Sequence, residues 1–380
     1  MSNQGNFCST SLGMDCTNAR FPANQGAGNA VPFKRIRVEV WRTDTNGNVL
    51  GTQPIGTSYT NLTGAYTVSW SYSSTPARVR VDFVYCHQDN RFCVQSETGL
   101  QWYNTMHSNV IPIANQDVPL GSWTWSNSNI GNVYDGASRV WEEAFRYSGQ
   151  LQSVFNAVTI RYPDSSQGPG DAITTGANKT VSMADDCVSM PMNCIAHEFG
   201  HMASYLLKPF KFCGIYSSSF AVTSSEKYCT AFEEGLAQFL AQVSFYWFQA
   251  PAPRYCISAS ACGPSGGWSL ETSSGSTCPA GSPRDSMITS ARYLWDAYDT
   301  VNDSYGDSLN WDYFYLVNKI STWASGTANN QHVVDEPWNS ALTSVDDDAG
   351  RAASDYQFLI DTAAAPSTTQ YQNNCSPGGD

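Results

Sequence analysis

Apolar residues alternate with polar ones through the early part of this chain and recur at helical spacing after it. Ile36, Val38 and Val40 alternate with Arg35, Arg37, Glu39 and Trp41, which is the period of a half-buried strand. Asn46-Gly47-Asn48 follows as a tight turn. The alternation returns in Tyr66-Thr67-Val68-Ser69-Trp70 and in Val79-Arg80-Val81-Asp82-Phe83-Val84-Tyr85. Short strands at close spacing, with no helical segment among them, predict a β-sandwich over 31–125. From about Ser126 the period changes. Val133, Ala137, Val140, Trp141, Ala144 and Phe145 share one helix face,, and Val158–Tyr162 reads as a strand. Further helices are expected at about 190–207, 229–248 and 286–300.

The class is therefore α+β and multidomain: an irregular arm at 1–30, the sandwich at 31–125, a mainly helical domain at 126–365 and a polar tail at 366–380. The Gly/Ser/Pro/Cys-rich stretch from Ala250 to Pro283 is too long for an ordinary connection and reads as a cysteine-stapled insertion.

Charge and cysteine content narrow the partners. A net charge of -13 and a pI near 4.7 argue against nucleic acid, which needs a basic surface. No run of about 18 apolar residues is present, so no bilayer-spanning segment is expected. The twelve cysteines include no C-x-x-C pair. Near neighbours such as Cys8/Cys16, Cys86/Cys93, Cys187/Cys194, Cys213/Cys229 and Cys256/Cys262, with Cys278 and Cys375 left over, favour disulfides in an oxidising compartment. The expected location is extracellular, which requires a secretory leader already removed, because the polar start Met1-Ser2-Asn3-Gln4 is not one.

The string that carries chemistry is Cys194-Ile195-Ala196-His197-Glu198-Phe199-Gly200-His201-Met202-Ala203-Ser204-Tyr205. Histidines at i and i+4 on a helix lie on one face, close enough for both imidazoles to reach one zinc ion, with Glu198 beside them as general base. Ile195, Phe199, Met202 and Leu206 supply the apolar positions that hold such a helix in a core. Chance produces H-E-x-x-H in about a few chains per thousand of this composition, so the motif needs a third ligand. A second strongly apolar helix starts at Thr230-Ala231-Phe232-Glu233-Glu234-Gly235-Leu236-Ala237, where Thr230 and Glu233 have the spacing of a capping box. Taken alone, Glu234 could equally be a solvated carboxylate in the first turn of a helix.

These two strings resemble the gluzincin class of zinc metallopeptidases. The metzincin continuation does not fit, since Ser204 and Leu207 stand where it has Gly and His. Glu234-Gly235-x-Ala is similar to the gluzincin phrase that carries the third ligand. The resemblance implies a zincin-like catalytic domain over 126–365, with zinc on His197, His201 and Glu234. It also implies peptide or protein as substrate. Met287–Asp299, containing Leu294-Trp295-Asp296, is similar to a downstream gluzincin helix. That family places an oxyanion-stabilising His at about the position of Arg284, so the role falls to Arg284, Tyr293, Tyr298 or His332, while core packing is the plainer reading of Tyr293, Leu294 and Trp295.

Asp296 or Asp299 would orient the histidines. Asp346-Asp347-Asp348 and the Asp299-to-Asp312 stretch make calcium a second candidate cofactor, although neither matches an EF-hand loop. Residues Arg35–Tyr85, through Asp44–Gly51 and Thr60-Asn61-Leu62-Thr63-Gly64-Ala65-Tyr66, resemble transthyretin-like or carboxypeptidase-regulatory-like modules of secreted proteins. The alternative to an enzyme is a non-catalytic extracellular binding or structural protein whose peptidase-like domain retains zinc.

Overall fold

In a computed structural model, the described residues are 2–3, 31–71, 78–109, 117, 119–120, 124–125, 129–146, 148–168, 172–186, 195–207, 228–246, 254–255, 268–269, 291, 294–295, 298 and 313. They form a mixed α/β protein. Its chain divides into two compact units: Met1–Asn6, Gln25–Ser138 and Asn156–Pro191 in one, and Phe7–Asn24, Arg139–Phe155 and Met192–Asp380 in the other.

The first unit is built on an eight-stranded sheet. Its strands are β1 (Ile36–Thr43), β2 (Gly56–Tyr59), β3 (Arg78–His87), β4 (Phe92–Gln95), β5 (Tyr103–Asn109), β6 (Val158–Arg161), β7 (Ala172–Thr175) and β8 (Thr180–Met183). The order is β7-β8-β6-β4-β3-β1-β2, with β5 also paired to β3. The alternation in β1 sends Ile36, Val38 and Val40 into the core. Its outward charges meet neighbours: Arg37 pairs with Glu39 at 2.9 Å, and Trp41 Nε1 donates to the same carboxylate. In β3 the alternation gives way to burial on both faces from Asp82 onward. The β3 and β4 strands are antiparallel neighbours at Cys86 and Cys93, which form a disulfide. The other near-neighbour cysteine pairs lie outside the described residues or side chains.

The sandwich boundary expected at residue 125 does not coincide with this division. Strands β6 and β8, which the sequence reading assigns to the helical domain, rejoin the first sheet, β6 pairing parallel with β4 through Phe92↔Val158 and Val94↔Ile160. Parallel partners are joined by long crossovers, so nothing local in either segment announces the pairing. The Tyr66–Trp70 stretch, expected as a strand, carries no ladder. Its alternation serves packing instead: Val68 is buried and the Tyr66 ring stands edge-on to Phe83. An aromatic cluster of Phe33, Tyr85, Phe92 and Tyr134 sits against the sheet, with centroids 5.5–6.0 Å apart. Tyr134 comes from helix α1 (Asn129–Val140), and its hydroxyl donates to the Lys34 carbonyl.

The second unit takes up the chain in a π-helical turn, Trp141–Phe145, and a short helix, α2 (Gly149–Val154), whose start is capped by Ser148 Oγ accepting from the Leu151 amide. Helices α3 (His197–Leu207) and α4 (Tyr228–Phe245) follow. Phe155 packs on Trp141, Phe145 and Phe199 at 5.3–5.4 Å. Leu236, Ala237, Phe239, Leu240, Ala241 and Val243 are all buried, so α4 is a core helix apolar on most sides. Phe239 meets Trp295 and Tyr298. Leu294 and Trp295 are fully buried, which is the packing role considered for them. No helix among the described residues is long and apolar enough to cross a membrane.

Thr60 ties the start of β1 to the chain before it. Its buried hydroxyl donates to the Phe33 carbonyl at 2.6 Å and accepts from the Ile36 amide at 3.1 Å. Thr60→Val should cost about 1–3 kcal/mol, because two buried backbone groups lose their partner, and should lower the denaturant midpoint accordingly.

Candidate metal centre

Residues 195–207 form one turn-and-helix segment in which Ile195, Phe199, Met202 and Ala203 point into the core. That anchorage leaves the opposite face to His197 and His201. Their rings stand nearly perpendicular, with centroids 4.6 Å apart. Glu198 is buried beside them, and one ligand atom from each of His197, Glu198 and His201 lies within 4.8 Å of the others.

Glu234 reaches the same point from α4. Its Oε2 lies 3.0 Å from His197 Nε2 and 3.2 Å from His201 Nε2, and the two Nε2 atoms are 3.1 Å apart. Three ligand atoms of a tetrahedral zinc site, with bonds of about 2.0–2.1 Å, are separated by about 3.3 Å. The triangle thus has almost the edge length that zinc requires, and two imidazoles with one carboxylate are a donor set it accepts. Glu198 adds a buried carboxylate close to the two imidazoles.

The charges are strongly coupled. Burial alone would lower the pKa of His201, but the Glu234 carboxylate, helped by Glu233 and Glu198, raises it well above the ordinary imidazole value. Burial works against Glu234 ionisation in the same way, yet His201 and His197 hold this carboxyl well below the usual carboxylate range.

The surrounding residues differ from expectation in two places. Helix α4 begins at Tyr228, so Thr230 and Glu233 already lie inside it and do not form a capping box. Glu233 Oε1 instead stands 3.7 Å from His201 Nδ1, an ion-pair contact. The partner of His197 is Gln238, whose Oε1 is 3.3 Å from Nδ1. The signal for it was Gln238 standing four residues beyond Glu234 on one helix face. Asp296 and Asp299, expected in this orienting role, lie outside the described residues. So do Arg284, Tyr293 and His332, and so do both acidic stretches considered for calcium. Tyr298 is described and is core, its ring packed among Phe239, Trp295 and Tyr313.

Gly200 permits the whole arrangement. A Cβ at residue 200 would lie 2.5 Å from the Ala237 carbonyl oxygen and 2.6 Å from its Cα. Only glycine lets α3 and α4 approach so closely at this point. Comparison of the chain with protein-family models, with curated proteins and with solved structures finds no match.

Gly200→Ala should therefore force the helices apart, costing about 1–3 kcal/mol as overpacking does, and lower the melting temperature. A variant that melts like the parent would show that the crossing is free to widen.

Proposed function

We propose that this chain is a secreted zinc-dependent metallopeptidase of the gluzincin type, in which a transthyretin-like β-sandwich module accompanies a zincin-like catalytic domain. One observation carries the reading: His197 Nε2, His201 Nε2 and Glu234 Oε2 converge at 3.0–3.2 Å with Glu198 at the same point. Structural zinc sites are closed by four protein ligands, whereas three ligands with a neighbouring carboxylate are the catalytic pattern. The distance matches and the donor chemistry matches.

His197, His201 and Glu234 would hold the zinc, which when bound would supply Lewis acidity for water activation and carbonyl polarisation. Glu198 accepts the proton of the attacking water and passes it to the leaving amine nitrogen, so that one carboxylate serves as base and then as acid. Its burial keeps bulk water from competing for that proton. Gly200 keeps the two helices close enough for all four groups to act on one peptide bond. Arg284 and Tyr293 remain the residues proposed for the oxyanion.

The deciding experiment measures zinc content and cleavage of a denatured protein mixture by wild type and Glu198→Gln. Near-stoichiometric zinc in both, with cleavage reduced about 100-fold or more in the variant, is the expected result. Purified wild type without zinc would sink the site. Zinc without cleavage of any substrate would favour an extracellular binding protein instead. Because the proton on His201 is held well above the ordinary imidazole range and must leave before a metal binds, apparent zinc affinity should rise with pH through about 6.5 and continue rising beyond it. Chelator competition across pH reads this directly.

A further inference from the structure

Gln238 lies on α4 with Glu234, four residues away, so both side chains project from one face of the helix. The residue is wholly buried. Its Oε1 stands 3.3 Å from His197 Nδ1, while Glu234 Oε2 stands 3.0 Å from Nε2 of the same ring. Each nitrogen of His197 thus has its own partner from α4. A neutral imidazole carries one proton, and a ring that gives Nε2 to a metal must carry that proton on Nδ1. An acceptor facing Nδ1 selects this form; an apolar side chain in the same place would select neither.

The amide has no other evident reason to be there. Its Nε2 is buried with no hydrogen-bond partner among the described residues, a situation that costs stability and that leucine or methionine would avoid. His201 is supported differently, because Glu233 approaches its Nδ1 only to 3.7 Å, beyond hydrogen-bond reach.

We infer that Gln238 is a positioning residue that holds His197 in its Nδ1-protonated form and so presents Nε2 to the metal. This inference rests on the zinc reading above. The neutral amide performs the task without adding a fourth carboxylate to Glu198, Glu233 and Glu234, so the tautomer is fixed while the charge around the metal is left unchanged.

The test uses the full chain as wild type, Gln238→Met and Gln238→Glu. Zinc affinity is measured by chelator competition, the melting temperature of each metal-free protein is recorded, and nitrogen NMR of the histidine side chains reports the tautomer in metal-free wild type and Gln238→Met. Methionine keeps the bulk and removes the acceptor; glutamate keeps the shape and the acceptor. The expected result is a loss of zinc affinity of about 10- to 100-fold for Gln238→Met, with no fall in its metal-free melting temperature. Gln238→Glu should keep affinity within a few-fold of wild type, and the metal-free wild-type spectrum should show His197 protonated at Nδ1, a preference that Gln238→Met loses. Methionine binding zinc as tightly as wild type, or methionine and glutamate weakening it alike, would overturn the inference while leaving the zinc site standing. A wild type that takes up no zinc overturns both, and it does so before any variant is compared.

Discussion

Gly200 and Ala237 bring the backbones of α3 and α4 so close that a methyl group at residue 200 would overlap the facing main chain. On either side of that contact stand His197, His201, Glu234 and Gln238. Interaxial distance follows from the side chains at the contact, and a close crossing is what lets donors from two helices converge on one point. The neighbouring core holds the crossing in place. Phe199 on the buried side of α3 rests on Phe155, which rests in turn on Trp141 and Phe145. Phe239 on α4 is backed by Trp295 and Tyr298. Interiors packed to crystal-like density transmit small displacements instead of absorbing them, so the spacing of His197, His201 and Glu234 depends on residues that never touch them.

Charge imposes a second constraint on the same helices. Glu234 and His201 stabilise each other's ionised forms in a desolvated place. The two halves of that contribution have opposite pH signs. The depressed Glu234 carboxyl contributes stability that is present above the ordinary carboxylate pKa and lost as pH falls through its native one. The raised imidazole contributes stability that is complete below about 6.5 and lost as pH rises through its elevated native value. The pair is thus self-compensating over the interval between,.

Much of this was legible beforehand, and the parts that were not share a cause. The H-E-x-x-H string placed His197, Glu198 and His201 because helical geometry alone brings i and i+4 together. Glu234 was reachable through its phrase, and the structure brings it to the two imidazoles. Expected helices near 190–207 and 229–248 correspond to α3 and α4, and the Cys86/Cys93 neighbours are bonded. The sheet was less legible. Strands β4, β6 and β8 are short, and their pairing is parallel and distant in sequence, so the boundary expected at residue 125 marked a change of periodicity and not a change of unit. The spacing of Thr230 and Glu233 predicts a cap, but α4 begins earlier, at Tyr228, and the Glu233 carboxylate faces His201.

The polar residues of α4 show how a core helix can be bent to a purpose. Leu236, Phe239, Leu240 and Val243 are fully buried, and each such side chain contributes about 1.5–3 kcal/mol relative to exposure. That is ample to hold the helix in place. Gln238, Gln242 and Ser244 are equally buried, and burying polar groups in so apolar a setting is costly unless they are hydrogen-bonded. Ser244 resolves the conflict locally by donating to the Leu240 carbonyl, a bond any helix offers. Gln238 has no such local solution and spends its oxygen on His197. Packing alone gives no reason for an amide at that position. A conflict between local rules and placement is expected where a site must be oriented, and here it falls one turn from Glu234, on the face that meets the histidines.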